Sequence, residues 1–129
     1  MCIRDRVSDI CYKYDVDLIS MIAPTSKERT LEIAAQAKGF IYLVSSMGVT
    51  GMRSNIVTDI EGIVESIKTV TDTPVAVGFG INSPAQVKHF GNIADGVIVG
   101  SAIVNLIKEH GDRAHQPLFN YIQTLIKEL

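Results

Sequence analysis

Four short apolar runs alternate with longer stretches of helical periodicity, and this alternation limits the possible folds more than any other feature of the sequence. Each run is continuously hydrophobic, which is typical of strands buried on both faces of a parallel sheet. The predicted strands are Leu18–Ala23, Phe40–Ser45, Val75–Gly80 and Gly96–Gly100. Because alternating strands and helices build βα units, we expect an α/β fold with four parallel strands.

Three Ser/Thr-x-x-Glu/Gln patterns predict helix starts after the first three strands. In such a capping box the hydroxyl and the later side chain each accept an N–H that the helix start leaves unpaired. The patterns begin at Thr25, Thr58 and Ser83. Gly39 and Gly91 are predicted to end the first and third of these helices in the left-handed conformation. Further helices are predicted over Val7–Tyr14, Ser101–Glu109 and His115–Lys127.

The length of 129 residues, with 47% hydrophobic and 20% charged residues, is typical of one globular domain. Residues 1–6 fit no predicted element and are expected to be an irregular or artificial leader, which leaves residues 7–129 as the domain. The net charge of -2 offers no surface for nucleic acid, and no apolar run is long enough to span a membrane. Cys2 and Cys11 lack metal-binding or disulfide spacing. We expect a cytoplasmic protein without a metal site, a nucleic-acid partner or a membrane partner.

Glycines occur at the carboxyl ends of three of the four predicted strands, where parallel βα folds bind their ligands. Gly80 precedes the helix that begins at Ser83, and Gly100 with Ser101 opens the next helix. The backbone N–H groups of these turns would point to one place near positive helix ends, as in phosphate sites. Relief of steric strain would explain any one of these glycines. Their repetition on adjacent units favours a phosphate cradle.

Acidic and histidine side chains are missing from these strand ends. All 14 acidic residues precede the strands, lie on helices or come late in the chain, and the three histidines lie on or after helices. The titratable groups predicted there are Tyr42 on the second strand and Arg53 in the long loop Ser46–Val57. Acid–base catalysis needs a group within reach of the moving proton. We therefore expect either a protein that only binds, with Arg53 as a rival phosphate ligand, or catalytic groups from sequence outside this chain.

Three motifs follow successive strands: Gly48-Val49-Thr50-Gly51, Gly78-Phe79-Gly80-Ile81 and Gly100-Ser101-Ala102-Ile103. In this combination, from about residue 8 to the C-terminus, the chain closely resembles the tryptophan synthase alpha chain family. The resemblance implies a TIM barrel of eight βα units that cleaves indole-3-glycerol phosphate to indole and glyceraldehyde 3-phosphate. This chain would be its C-terminal half-barrel, with βα units five to eight.

The resemblance also implies roles for single residues. The substrate phosphate would be bound by Gly51, Gly80, Gly100 and Ser101. The substrate pocket would be lined by Tyr42, Thr50 and Phe79, and Ser46–Val57 would be a mobile lid. The catalytic glutamate and aspartate of the family belong to the N-terminal half, so this chain is expected to hold no catalytic residue. It is expected to hold no cofactor either, since the pyridoxal phosphate of the family's alpha2-beta2 complex belongs to the beta chain.

Two other interpretations stay open at this point. The first is a non-catalytic phosphate-binding half-barrel, whose two unpaired sheet edges and uncovered apolar interior would recruit the missing N-terminal half or a second copy. The second is an open, doubly wound domain that binds a phosphorylated regulator. That fold requires the strand order to reverse within the sheet.

Overall fold

The computed structural model of the protein describes residues 3–24, 27–45 and 59–129, with side chains from residue 6 onward. In chain order the elements are α1 (Ile3–Lys13), β1 (Ser20–Ile22), α2 (Lys27–Ala35), β2 (Ile41–Val44), α3 (Ile60–Lys68), β3 (Val75–Gly78), α4 (Pro84–Gly91), β4 (Gly96–Ile98), α5 (Ser101–His110), a 3-10 helix (Gly111–Arg113) and α6 (His115–Ile126). The predicted α/β fold is confirmed, and every predicted strand contains an observed one.

The strands form one parallel sheet in the order β1-β2-β3-β4. Met21 pairs with Tyr42 across the first two strands, and Tyr42 pairs with Ala76 across the next two. Because the order of the described strands never reverses, the doubly wound interpretation is wrong. Consecutive parallel strands in chain order are the arrangement found in a βα barrel.

The two faces of the sheet differ in how far the described residues cover them. Successive strand residues point to opposite faces, and burial alternates accordingly along β1 and β2. The core contains the fully buried side chains Ile22, Ile41, Leu43, Val75 and Val77 from the strands, together with Ala34, Val64, Ile67 and Val87 from the helices. On the opposite face Met21 is 64% exposed and Tyr42 is half-buried. This distribution matches a half-barrel with helices outside and an open interior.

The helix starts agree with the sequence at α4 and differ from it at α3. Ser83 accepts a hydrogen bond from the Gln86 N–H at 3.4 Å, and Gln86 Oε1 accepts one from the Ser83 N–H at 3.2 Å, which confirms this capping box. The residue that caps α3 is Asp59, whose Oδ1 accepts from the Gly62 N–H at 2.9 Å. A carboxylate at this position accepts a hydrogen bond from an N–H that the first turn of the helix leaves unpaired. It also interacts favourably with the positive end of the helix dipole. The predicted caps Thr25 and Thr58 lie outside the described residues.

Gly39 and Gly91 do not end their helices in the way that the sequence predicts. Gly39 is left-handed, with φ of +67°, but α2 ends earlier, at Ala35. Gly91 is the last residue of α4, and the cap that follows is Asn92 with φ of -78°, so the predicted left-handed end at Gly91 is wrong. A Cβ at Gly91 would lie 2.7 Å from Leu129 Cδ2. This glycine therefore allows the C-terminus to pack closely against α4.

The N-terminal helix is longer than the sequence predicts. It begins at Ile3, so residues 3–6 are helical although they fit none of the predicted elements. These residues contain neither glycine nor proline, and nothing in them interrupts the helix that continues through Lys13. The separation of residues 1–6 as a leader from a domain over 7–129 stays a prediction. None of the described helices is long and apolar enough to cross a membrane.

Asp95 joins three elements at the N-terminal end of the sheet. Its Oδ2 accepts from Lys68 Nζ at 2.6 Å and from the Val75 N–H at 2.7 Å, and its own N–H donates to the Val75 carbonyl at 2.9 Å. The hydrogen bond from Lys68, and next the one from Val75, lower the pKa of the Asp95 carboxyl below its ordinary value. The ends of α3, β3 and β4 are thereby tied together.

Candidate functional site

The carboxyl ends of β3 and β4 bring the two predicted phosphate-binding turns side by side. Gly78 pairs with Ile98 at the last paired position of the two strands. Gly80 and Gly100 each come two residues after that pair, so both turns lie at the same edge of the sheet. Gly100 is the N-cap of α5, and the exposed Ser101 is the first residue of that helix.

Packing among the described residues accounts for neither of these glycines. A Cβ added at Gly80 or at Gly100 would have no heavy atom of the described residues within 4 Å, apart from the adjacent residues. The left-handed φ of +78° is a sufficient reason for glycine at position 80. Gly100 has φ of -120°, outside the left-handed region, so strain relief does not explain it. A glycine facing open space without a conformational need is suited to the close approach of a ligand to the backbone.

The turn after β3 is held in an uncommon conformation by Ser45. Phe79 has φ of +89°, a left-handed value that costs a residue with a side chain about 1–3 kcal/mol. Ser45 Oγ donates to the Phe79 carbonyl at 2.5 Å, and the Ser45 N–H donates to the Gly78 carbonyl at 2.7 Å. Two hydrogen bonds from the end of β2 therefore hold the two carbonyls that precede Gly80.

The other side of the same turn is anchored by Tyr121 of α6. Its hydroxyl donates to the Asn82 carbonyl at 2.9 Å, while Ile81 is only 3% exposed. Burial raises the pKa of the Tyr121 phenol above its ordinary value, which favours the protonated form that donates this bond. No role was predicted for Ser45 or Tyr121, because both bonds join residues that are distant in sequence.

The predicted pocket residues in the described part of the chain flank Gly78. Tyr42 occupies the space that a Cβ at Gly78 would need, so glycine at this position lets the phenol cross the neighbouring strand. Phe79 follows Gly78 with its side chain 53% exposed. Thr50, Gly51, Arg53 and the predicted lid Ser46–Val57 lie outside the described residues.

The described carboxylates near the sheet ends have other partners. Asp59 caps α3, and Asp95 lies at the opposite end of the sheet from the glycine turns. Within residues 3–24, 27–45 and 59–129, no cluster of three His, Cys, Asp or Glu side chains is placed to hold a metal ion. Open grooves of about 350 Å³ beside α1 and about 400 Å³ between α2 and α3 include neither Gly80 nor Gly100. The glycine turns are thus suited to bind an anion, and the described side chains beside them supply no carboxylate.

A sequence profile described as "Tryptophan synthase alpha chain" matches residues 3–128. The chain belongs to the tryptophan synthase alpha chain family. The alpha chain of Lactiplantibacillus plantarum is 56% identical over 98 residues, which are 75% of this chain and 37% of that protein. The alpha chain of Lacticaseibacillus casei is 47% identical over 111 residues, which are 86% of this chain and 42% of that protein. The resemblance drawn from the strand-end motifs is confirmed.

Solved structures of this family share the fold. The tryptophan synthase alpha subunit of Campylobacter jejuni is 39% identical with a TM-score of 0.67, over 81% of this chain and 43% of that one. A structure of the tryptophan synthase a2b2 complex from Pyrococcus furiosus matches with 32% identity and a TM-score of 0.76, over 96% of this chain and 51% of the matched chain. The chain therefore spans about half or less of each of these relatives, and its βα units correspond to part of their TIM barrels.

Proposed function

We propose that this chain supplies the phosphate-binding half of a tryptophan synthase alpha subunit, a lyase of tryptophan biosynthesis that cleaves indole-3-glycerol phosphate to indole and glyceraldehyde 3-phosphate. The observation that carries the proposal is Gly100, a helix N-cap beside the Gly80 turn, where a Cβ would meet none of the described residues and where φ does not require glycine. Membership of the alpha chain family supports the choice of substrate and reaction.

In this proposal the phosphate oxygens accept hydrogen bonds from the backbone at Gly80, Gly100 and Ser101, with Gly51 as a further contact. Charge-assisted hydrogen bonds contribute about 1.5–3 kcal/mol each. The N-terminus of α5 adds about 0.3–1 kcal/mol through the helix dipole. Tyr42, Thr50 and Phe79 line the space next to the phosphate, where they orient the indole-glycerol part of the substrate.

The remaining components come from outside this chain in the proposed enzyme. The carbon–carbon cleavage needs proton transfer, for which the rest of the alpha subunit supplies the carboxylates. The matched Pyrococcus furiosus protein is part of an a2b2 complex, and we extend a beta-chain partner to this protein. Pyridoxal phosphate chemistry belongs to that beta chain, and this chain contributes binding and orientation of the indole-3-glycerol phosphate.

The proposal is tested by titrating glycerol 3-phosphate into the wild-type chain and into Gly100→Val, with folding checked by circular dichroism. A displaced phosphate that loses two charge-assisted bonds should bind about two to four orders of magnitude more weakly. Gly80→Val should weaken binding as well. Gly111→Val is the matched control, because Gly111 is also left-handed, at φ of +54°, and open to solvent, but lies at the other end of α5.

Two outcomes would contradict the backbone cradle. The first is equal affinity of the wild type and Gly100→Val for glycerol 3-phosphate. The second is a loss of binding in Arg53→Ala while both valine variants bind normally, which would assign the anion to the loop arginine. If Gly80→Val and Gly111→Val lose the same affinity for glycerol 3-phosphate, the effect of Gly80→Val comes from backbone strain alone.

A second candidate function is a phosphate-binding half-barrel that closes by pairing with another copy or with a separate N-terminal half. It is favoured by the large exposed hydrophobic side chains at the two sides of the molecule. One group is Ile10, Tyr12, Tyr14, Val16 and Met21, and the other is Val104, Ile107, Phe119, Ile122 and Ile126. The first group lies in or before β1 and the second follows β4, and these are the two strands with only one described neighbour.

Sedimentation and an indole assay separate the two candidates. A binding half-barrel should sediment as a dimer at micromolar concentration, bind glycerol 3-phosphate and release no indole from indole-3-glycerol phosphate. A compact monomer would contradict self-association. Indole release by this chain, lost in Tyr42→Phe, would contradict a purely binding role and would also contradict the need for outside carboxylates.

A further inference from the structure

We infer that Ser45 is a positioning residue for the phosphate turn: its hydroxyl selects the orientation of the peptide between Phe79 and Gly80 and thereby directs the Gly80 N–H. This inference rests on the proposed function, because it assigns that N–H to the phosphate.

The geometry follows from the planarity of one peptide unit. The Phe79 carbonyl and the Gly80 N–H belong to the same trans peptide, in which the C=O and N–H bonds point in opposite directions. Ser45 Oγ donates to that carbonyl at 2.5 Å. Because the carbonyl points toward Ser45, the Gly80 N–H points away from Ser45, to the opposite side of the turn.

The hydroxyl is needed because the backbone alone does not fix this orientation. Rotation of the peptide between Phe79 and Gly80 changes ψ of Phe79 and φ of Gly80. Gly80, at φ of +78°, has no side chain and tolerates either orientation of the peptide. Without the Ser45 hydroxyl, rotation of this peptide would turn the Gly80 N–H away from its bound direction.

The chain provides an internal comparison in Tyr121. Its hydroxyl also donates to a carbonyl of this turn, that of Asn82, but this carbonyl belongs to the peptide between Asn82 and Ser83 and not to the peptide that contains the Gly80 N–H. Removing the Tyr121 hydroxyl should loosen the turn without reversing the peptide before Gly80. A general anchoring role and a specific positioning role therefore predict different results for the two hydroxyls.

The test compares Ser45→Ala, Ser45→Thr and Tyr121→Phe in the 129-residue chain, by titration with glycerol 3-phosphate and by the NMR amide resonance of Gly80. Ser45→Ala should weaken binding about tenfold, the effect of one lost hydrogen bond. Ser45→Thr keeps the hydroxyl and should restore binding. Tyr121→Phe should leave the affinity within about twofold of the wild type.

The amide resonance separates a failure of this inference from a failure of the proposed function. If the wild type binds no glycerol 3-phosphate, the proposed function fails, and Ser45 positioning is still supported if Ser45→Ala shifts the Gly80 resonance more than Tyr121→Phe does. The inference is overturned if Ser45→Ala leaves that resonance unchanged. It is also overturned if Tyr121→Phe weakens phosphate binding as much as Ser45→Ala.

Discussion

The two ends of the parallel sheet differ in where their polar groups are directed. At the N-terminal end, the carboxylate of Asp95 accepts from Lys68 and from the Val75 backbone, so charge and backbone donors are paired inside the chain. At the carboxyl end, none of the described residues fills the space beside Gly80 and Gly100, and Phe79 adopts a costly left-handed conformation. The same strands therefore end in stabilising contacts on one side and in an accessible, strained turn on the other.

This difference is the division of roles expected of βα barrels, in which the amino end of the strands stabilises and the carboxyl end binds. Strain persists at a turn only where the surrounding contacts hold it, and the two hydrogen bonds from Ser45 to the Gly78 and Phe79 carbonyls are those contacts here. Changes at the N-terminal end should consequently alter the free energy of unfolding, whereas changes at the carboxyl end that displace Gly80 or Gly100 should alter phosphate affinity.

Asp95→Ala should produce the largest loss of stability while leaving phosphate affinity unchanged. The substitution removes the acceptor for the Val75 N–H and the partner of Lys68, with side chains that are 45% exposed for Asp95 and 35% for Lys68. After allowance for solvent screening, we expect the free energy of unfolding to fall by about 2 kcal/mol. Urea unfolding measures the change, and Asp112→Ala in the exposed 3-10 helix is the control. A matching loss of glycerol 3-phosphate affinity would show that the two ends are coupled.

Acid should weaken the N-terminal end through the same carboxylate. Hydrogen bonding lowers the pKa of Asp95 below its ordinary value of 3.8, so its stabilisation is fully present above that pH and is lost as the pH falls through the folded-state pKa. In Asp95→Asn this part of the acid loss should disappear. The measurement is the urea midpoint of both proteins between about pH 6 and about pH 3. Parallel losses in the wild type and Asp95→Asn would mean that other carboxylates control the acid response.

The sequence was sufficient for features that depend on local pattern. Continuous apolar runs predict buried parallel strands, and Ser83 and Gln86 predict the start of α4, because each signal involves residues close together in the chain. The cap of α3 was misassigned because Asp59 and Thr58 are both good capping residues and only the backbone geometry decides between them. Gly91 was misread because its role depends on Leu129, which is distant in sequence.

The candidate site was predictable in part for the same reason. The glycine motifs predict which turns meet at the sheet edge, since parallel strands in chain order place their carboxyl ends together. The motifs do not distinguish Gly80, where a left-handed φ requires glycine, from Gly100, where φ does not require it. The bonds from Ser45 to Phe79 and from Tyr121 to Asn82 span 34 and 39 residues, and no local pattern specifies such pairs.

The smallest loss of stability is expected for Glu128→Gln. This substitution removes an ion pair without a backbone hydrogen bond, so it tests whether the backbone bond from Val75 makes the Asp95 contact stabilising. Glu128 pairs with Lys88 at 3.1 Å, but the Lys88 side chain is 65% exposed and the contact involves side chains alone. Exposed ion pairs of this kind contribute about 0.2–1 kcal/mol, so the substitution should cost no more than about 0.5 kcal/mol. Urea unfolding at low salt and at about 1 M salt measures it, and screening should remove the difference at the higher concentration. A cost equal to that of Asp95→Ala, or one that persists in high salt, would contradict this ranking of the two ion pairs.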